Sequence, residues 1–413
     1  MYTVMHQRSG NSWKRVGMVI VLVGLLLATA RTNVQAGMWD ADPPMLSGDQ
    51  QWGKVKVLWQ DHAKGKNLSE IITILTALKD KYPDKIETYL CLARAHYLHA
   101  WYFSKDKHDH FEKAESYAAQ ACKMEPGNHY AIRTLCDTLI WSRDRNYIFC
   151  HYGDWLKSVA PVKIMNPEAL PEMKRYPGWD GFMQLWMARA DMEKAKAAAA
   201  LVEKMAQEHP RDALAQVWAA RVYYYIGEVY TSLGEQDQKA IPQYKKGIAY
   251  SEKALKLQPQ SQLANFWYVM NLARSIQFTS LINKARFFSQ LLDSTLLCVK
   301  ENSSYMFFNV MNLLGTMITN GGWITEKGMR IAGITLQMDL NGLEIAEMLY
   351  PDFYYIPYCR ADILASKGKK KEALAILEKL LSRNPDANKQ IPENRSFLRE
   401  AKTLYEALKE GKR

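Results

Sequence analysis

YYIPYCRADILASKGKKKEALAILEKLLSRNP, residues 354–385, decides the fold. Ala361 lies in its first half, and Ala373, Leu377 and Leu380 repeat at helical spacing in its second. Gly368 stands between the halves and Pro385 stops the second, so the stretch predicts two antiparallel helices joined by a tight, lysine-rich turn. The same signature recurs upstream. Prolines stand at Pro83, Pro126, Pro210, Pro259, Pro351 and Pro385. Ten residues after the first five lie Ala93, Cys136, Ala220, Val269 and Ala361, and five residues before the last five lie Ala121, Met205, Ala254, Ala346 and Leu380. A small or slim residue at a fixed distance from a helix stop is what stacked helix pairs need at their close contacts.

The prolines are separated by 43, 84, 49, 92 and 34 residues, so two of the units are degenerate or carry insertions. Ahead of Pro83, Ile71, Ile72, Leu75 and Leu78 mark an amphipathic helix, and a pair over about Ile86–His99 and Phe111–Lys123 follows it. Four domains are expected: a leader over 1–36, helical repeats over 37–142, an insertion over 143–182, and further repeats over 183–413 closed by a polar capping helix from about Arg395 to Lys409. The insertion holds Pro161, Pro167, Pro171 and Pro177 among Tyr147, Trp155, Tyr176 and Trp179, and reads as an ordered surface loop. It serves either to touch a partner or to cover the scaffold's own core. Residues 276–345 form a second irregular region, apolar enough for core, with a break at Asn320-Gly321-Gly322-Trp323.

Arg8, Lys14 and Arg15 precede the apolar run VGMVIVLVGLLLATA at 16–30, and Val34-Gln35-Ala36 offers small residues at the cleavage positions. That order predicts a secretory signal cleaved after Ala36 and a periplasmic mature chain, the alternative being an uncleaved N-terminal anchor. The whole chain carries a formal charge of +11. Spread without a dense Lys/Arg stretch before KGKKK at 367–371, which reads as a solvated turn, this excess argues for solubility rather than nucleic-acid binding. Cys91, Cys122, Cys136, Cys150, Cys298 and Cys359 are expected to be mostly free and buried, with one bridge inside 91–150 left open.

Taken together these residues resemble a divergent tetratricopeptide array, giving the expected fold class: an all-α solenoid of antiparallel helix pairs with irregular insertions. From about residue 247 onward the chain is similar to a narrower family, the T component of TRAP-type transporters. SEKALKLQPQSQLANFWYVMNLARS (251–275), NGGW (320–323), the stretch 346–381 and the ending PENRSFLREAKTLYEALK carry that likeness. The resemblance implies a periplasmic helical protein that mediates protein–protein interaction. Its partner would be a solute-binding protein, and its role accessory to uptake of a hydrophobic or carboxylate-bearing ligand, with a homo-oligomer as one form. The alternative is a general envelope scaffold holding protein segments in its concave groove.

The tetratricopeptide likeness also implies groove positions on the first helix of each pair. In this sequence they are Arg94 and Tyr97; Tyr130, Arg133, Asp137 and Trp141; Arg221, Tyr224 and Tyr225; Phe266 and Arg274; then Tyr355, Tyr358 and Asp362. Arginine and aromatic rings dominate, which suits a peptide or an organic acid, although rings also simply fill a superhelix. Trp218 and Trp267, each eight residues after a proline, read as a repeated packing contact. His96, His99, His108 and His110 near Cys122 have a spacing that a zinc or copper ion could use, but read more simply as surface histidines, so no metal is assigned. No cofactor or catalytic residue is assigned either. The chain has no G-x-S-x-G, H-E-x-x-H, Walker or dinucleotide fingerprint, and Asp137, His151 and Asp154 have no spacing that recommends a hydrolase.

Overall fold

The computed structural model describes residues 45–46, 48–103, 107–159, 176–232, 236–277, 281–302, 311–315, 317, 326–327, 329–330, 334–385, 391 and 393–412. The leader, the middle of the 143–182 insertion and the 320–323 break lie outside them. The helices, in chain order, are α1 (Gln50–Trp59), α2 (Asn67–Lys81), α3 (Ile86–Tyr102), α4 (Lys107–Met124), α5 (His129–Ser142), α6 (Arg145–Ser158), α7 (Trp179–Met187) and α8 (Met192–Glu208). They continue with α9 (Ala213–Ser232), α10 (Ile241–Leu257), α11 (Gln262–Gln277), α12 (Leu281–Asn302), α13 (Leu336–Leu349), α14 (Tyr355–Ser366), α15 (Lys370–Leu381) and α16 (Asn394–Lys409). The described residues form an α-solenoid of antiparallel helix pairs, continuous from α1 to α5, from α7 to α12 and from α13 to α16.

The prolines make the pairs. A residue before proline is driven out of the α region, and Tyr82 (φ −130°, ψ 65°), His209 (−121°, 60°), Gln258 (−140°, 83°) and Tyr350 (−128°, 61°) all show it. Each still donates its N–H to the carbonyl four residues back, closing its helix. Each then accepts at its own carbonyl from the third residue onward: Lys85 at 3.2 Å, and Asp212, Ser261 and Phe353 at 3.0 Å. That turn reverses the chain. The next helix is started by a short polar side chain, Asn128 accepting from the Ala131 N–H at 3.0 Å and Asp212 from the Leu214 N–H at 3.0 Å.

All ten small-residue positions named above are buried. One of them shows what the close approach is for. Asn271 on α11 donates to the Ala220 carbonyl on α9 at 3.2 Å, and a Cβ at Gly247 on α10 would come within 2.1 Å of the Asn271 carboxamide. Three helices therefore meet through one amide because an alanine and a glycine leave room for it. In α16, Phe397, Ala401, Leu404 and Leu408 bury one stripe, and Asn394 hooks the Pro351 turn by accepting from the Tyr354 N–H and donating to the Asp352 carbonyl.

Two expectations are corrected. The 143–182 segment is not a loop throughout, because Arg145–Ser158 is helical, capped by Asp144, which accepts from the Tyr147 N–H at 2.8 Å. Its buried positions are only Ile148, Gly153 and Leu156, a face too thin to stand out among so many rings. Much of the 276–345 region is likewise helical, as α12 and α13. These two helices turn back onto the N-terminal stack: α12 meets α3, and α13 packs on α5 and α6. Arg145 on α6 clasps Glu344 on α13 through two bonds of 2.9 and 2.7 Å.

All six cysteines are thiols, five buried and Cys150 exposed. No helix of the described residues is long and apolar enough to cross a membrane.

Candidate ligand-binding interior

Fourteen positions were expected to line a concave groove or to fill the superhelix, and none of the fourteen is exposed. Eight are buried and Tyr130, Arg133, Tyr224, Arg274, Tyr358 and Asp362 are half-buried. The physical reason, at the N-terminal end, is the return of α12, whose Val299 carbonyl accepts from the Tyr97 hydroxyl at 3.1 Å. The surface is an interior, and its polar groups gather in three places.

The first gathers around Arg94, 2% exposed on α3. Its Nη1 faces Asp137 Oδ2 at 3.8 Å and its Cζ lies 4.8 Å from the Tyr97 ring centroid. Nε and Nη2 are buried without a hydrogen-bond partner. Burial opposes the charge, but Tyr130, Tyr97, Asp137 and Glu301 more than offset it. Glu301, at the end of α12, is itself buried and accepts from the Tyr102 hydroxyl and from His62 Nε2, the latter at 3.3 Å. Burial pushes its carboxyl up, yet His62, Tyr102 and Arg94 hold it below the usual range. The other nitrogen of His62 faces the Trp59 carbonyl at 3.0 Å. With acceptors on both sides, the ring is fully satisfied only as an imidazolium. Arg133 stands one turn before Asp137 on α5, and both act on Tyr350. Trp141 sits apart, edge-on to Trp101 at 5.3 Å.

The second is a cation among rings. The Arg221 guanidinium lies 4.6 Å from the Trp218 ring, 5.4 Å from Trp186 and 5.6 Å from Trp267. Beside it Arg189 stacks on Trp186 at 4.6 Å and pairs with Glu393 at 3.1 Å, while the Tyr225 hydroxyl donates to the Arg189 carbonyl at 2.9 Å. Trp218 also sits edge-on to Trp179 and Phe182, and Trp267 edge-on to Phe266. The repeated tryptophans are thus packing contacts, as expected.

The third surrounds Arg274 on α11. It pairs with Glu228 on α9, whose other oxygen accepts from the Tyr244 hydroxyl at 2.6 Å. A Cβ at Gly227 would fall 2.4 Å from the Tyr244 ring, so that glycine is what admits the ring. Burial raises Tyr355 and Tyr358, with Arg274 acting the other way on both. Burial raises the Glu400 carboxyl, with Glu228 and Asp362 adding to it and Arg274 opposing.

Sequence reasoning missed the partners: His62, Tyr102, Glu301, Arg189, Glu228 and Glu400. A signal existed for some of them. Glu228 is the lone charge in YYYIGEVY (223–230), and Arg189 the lone base in LWMARA (185–190).

The histidines assemble differently from a surface set. His96 Nδ1 lies 3.0 Å from His110 Nδ1, and His99 stacks on His110 at 3.9 Å. His108 leaves the group and pairs with Glu112 at 3.1 Å. Among the described residues no group of His, Cys, Asp or Glu has the geometry to hold a metal ion.

No family model matches this chain, and no curated protein does. Among solved structures it is similar to the human IFIT1 dimer with m7Gppp-AAAA at 14% identity, covering 91% of this chain and 78% of that one, with a TM-score of 0.31. It is also similar to yeast Tom70 (12% identity, 87% and 95% covered, TM-score 0.22). The TPR domain of P58(IPK) is 15% identical, with 86% and 98% covered and a TM-score of 0.22. These overlaps are too loose to match residue with residue, and the helix-pair assignment rests on the packing above.

Proposed function

We propose that this chain is an exported helical-repeat interaction protein that works beside a solute-binding protein and handles a hydrophobic organic acid. The observation that carries the reading is the inward arginine–aromatic lining, with Arg94, Arg221 and Arg274 each set against rings inside the stack. Aromatic walls with a few fixed cations suit a ligand that is apolar along its length and acidic at one end. The exterior offers little to an apolar ligand: among the described residues the exposed large hydrophobics are Val57, Phe103 and Leu257. The leader-like residues 1–36 support export.

Crosslinked affinity capture of the tagged full chain from its native envelope, followed by mass spectrometry, tests this. Recovery of a solute-binding protein with transporter subunits is the expected result. Recovery of unrelated envelope proteins alone would retire the transport role and favour a general scaffold, and a chain found only in the cytoplasm would sink export.

A further inference from the structure

We propose that the Nε/Nη2 edge of Arg94 is a built receptor for the carboxylate of a small organic acid, which the protein takes in whole. The two nitrogens share one edge of the guanidinium, and their N–H bonds point the same way at the separation of two carboxylate oxygens. Both are buried and without a hydrogen-bond partner, in a side chain 2% exposed. The remaining nitrogen, Nη1, is turned to Asp137, so the unused donors are the pair a carboxylate would grip side-on.

Neither nearby carboxylate occupies that edge. The carboxylates that act on Arg94 are Glu301 and Asp137. Glu301 is already engaged by His62 and Tyr102, and Asp137 stands beyond hydrogen-bond distance of Arg94. Leaving two buried charged donors unmade is costly, and the fold keeps them. The Tyr97 ring under the guanidinium adds an aromatic wall. Such burial excludes a side chain of a folded partner and fits a free molecule. This inference rests on the ligand half of the reading above and is independent of its partner half.

The test is isothermal titration calorimetry of the full chain with octanoate and with octanamide, which keeps the length and removes the charge. Octanoate is expected to bind at least about tenfold tighter, the mark of a charge-assisted pair of hydrogen bonds. In Arg94→Lys, which keeps the charge and loses the fork, the ratio should fall below about threefold. Equal affinity for acid and amide in the native chain would overturn the proposal, as would failure of both to bind, which would leave the edge to an ordered water. An undiminished ratio in Arg94→Lys would move the acid elsewhere. The native comparison stands even if the variant does not fold. Octanoate binding without any captured solute-binding protein would retain this site and reject the transport partner, and the reverse result would do the opposite.

Discussion

Arg94 and Arg274 occupy similar places in the two halves of the stack, on first helices of their pairs, yet their surroundings differ in kind. Arg274 meets Glu228 directly, and Tyr244 holds the far oxygen of that carboxylate. Arg94 has two carboxylates nearby, Asp137 at 3.8 Å and Glu301, neither hydrogen-bonded to it, and two donors without a hydrogen-bond partner. A guanidinium with its carboxylate in place is a structural tie, whereas one with an empty edge is held in position by something other than its own hydrogen bonds. Arg94 is held by packing on Tyr97 and by the return of α12. The same residue type on the first helix of a pair thus serves cohesion in one half and recognition in the other.

The largest expected effect breaks the tie at Arg274. Glu228→Ala leaves a half-buried guanidinium without its carboxylate and removes the acceptor of the Tyr244 hydroxyl. Losing one partner of such a pair costs about 3–5 kcal/mol. Urea unfolding followed by tryptophan fluorescence reads it, and a loss under about 1 kcal/mol would mean that the pair is solvated and the contrast with Arg94 is empty.

This contrast was beyond the sequence, and the reason is distance along the chain. Arg94, Tyr97, Arg274 and Tyr355 were legible as inward positions because they repeat at fixed steps from a proline, and a proline acts on the residue directly before it, as at Tyr82 and Gln258. The small contacts at Ala93, Ala220 and Ala361 were legible for the same local reason. What each arginine meets is not local. Glu228 lies 46 residues from Arg274, and Glu301 lies 239 residues from His62. At the N-terminal end the expected groove positions are covered because α12 returns over α3, which no repeat period encodes. The helix α6 escaped because its buried face has only three residues.

A smaller effect sharpens the comparison through pH. On α3, close to Arg94, His96 is 5% exposed, and burial first, then His110, Lys113 and His99, push its pKa from 6.5 to about 3, with Asp109 opposing. Tyr117 stacks on the same ring. A histidine with a lowered folded pKa binds its proton more readily unfolded. Its contribution is therefore complete above pH 6.5 and is lost as pH falls toward 3, by at most about 1.4 kcal/mol per pH unit. Near Arg274 the sign reverses. Glu400 has a raised folded pKa, so the folded state holds its proton longer, and stability falls as pH rises through that pKa. Thermal melts between pH 4 and 7 of the native chain and His96→Gln separate the two. The variant should flatten the acid-side loss, and an unchanged slope would show that His96 is protonated in the folded chain.

The smallest effect is the most discriminating. Arg94→Met keeps an unbranched apolar stem beside Tyr97, removes the two unpartnered donors, and sacrifices a contact of 3.8 Å to Asp137, the charge over the Tyr97 ring and a longer-range attraction to Glu301. Replacing poorly satisfied buried charge by a well-packed apolar side chain is often neutral or stabilising. The expected change in unfolding free energy is within about 1 kcal/mol of zero, against a loss of about 3 kcal/mol for Arg274→Met, where Glu228 is stranded. Urea titration of the two variants side by side measures the difference, which matters more than either value because the substitution is the same. Equal large losses would mean that the Nε/Nη2 edge is satisfied in solution and that Arg94 is a tie like Arg274. A tolerant Arg94 beside an intolerant Arg274 would mean that the N-terminal half keeps a buried cation that folding does not require, which is the condition for its being kept to bind.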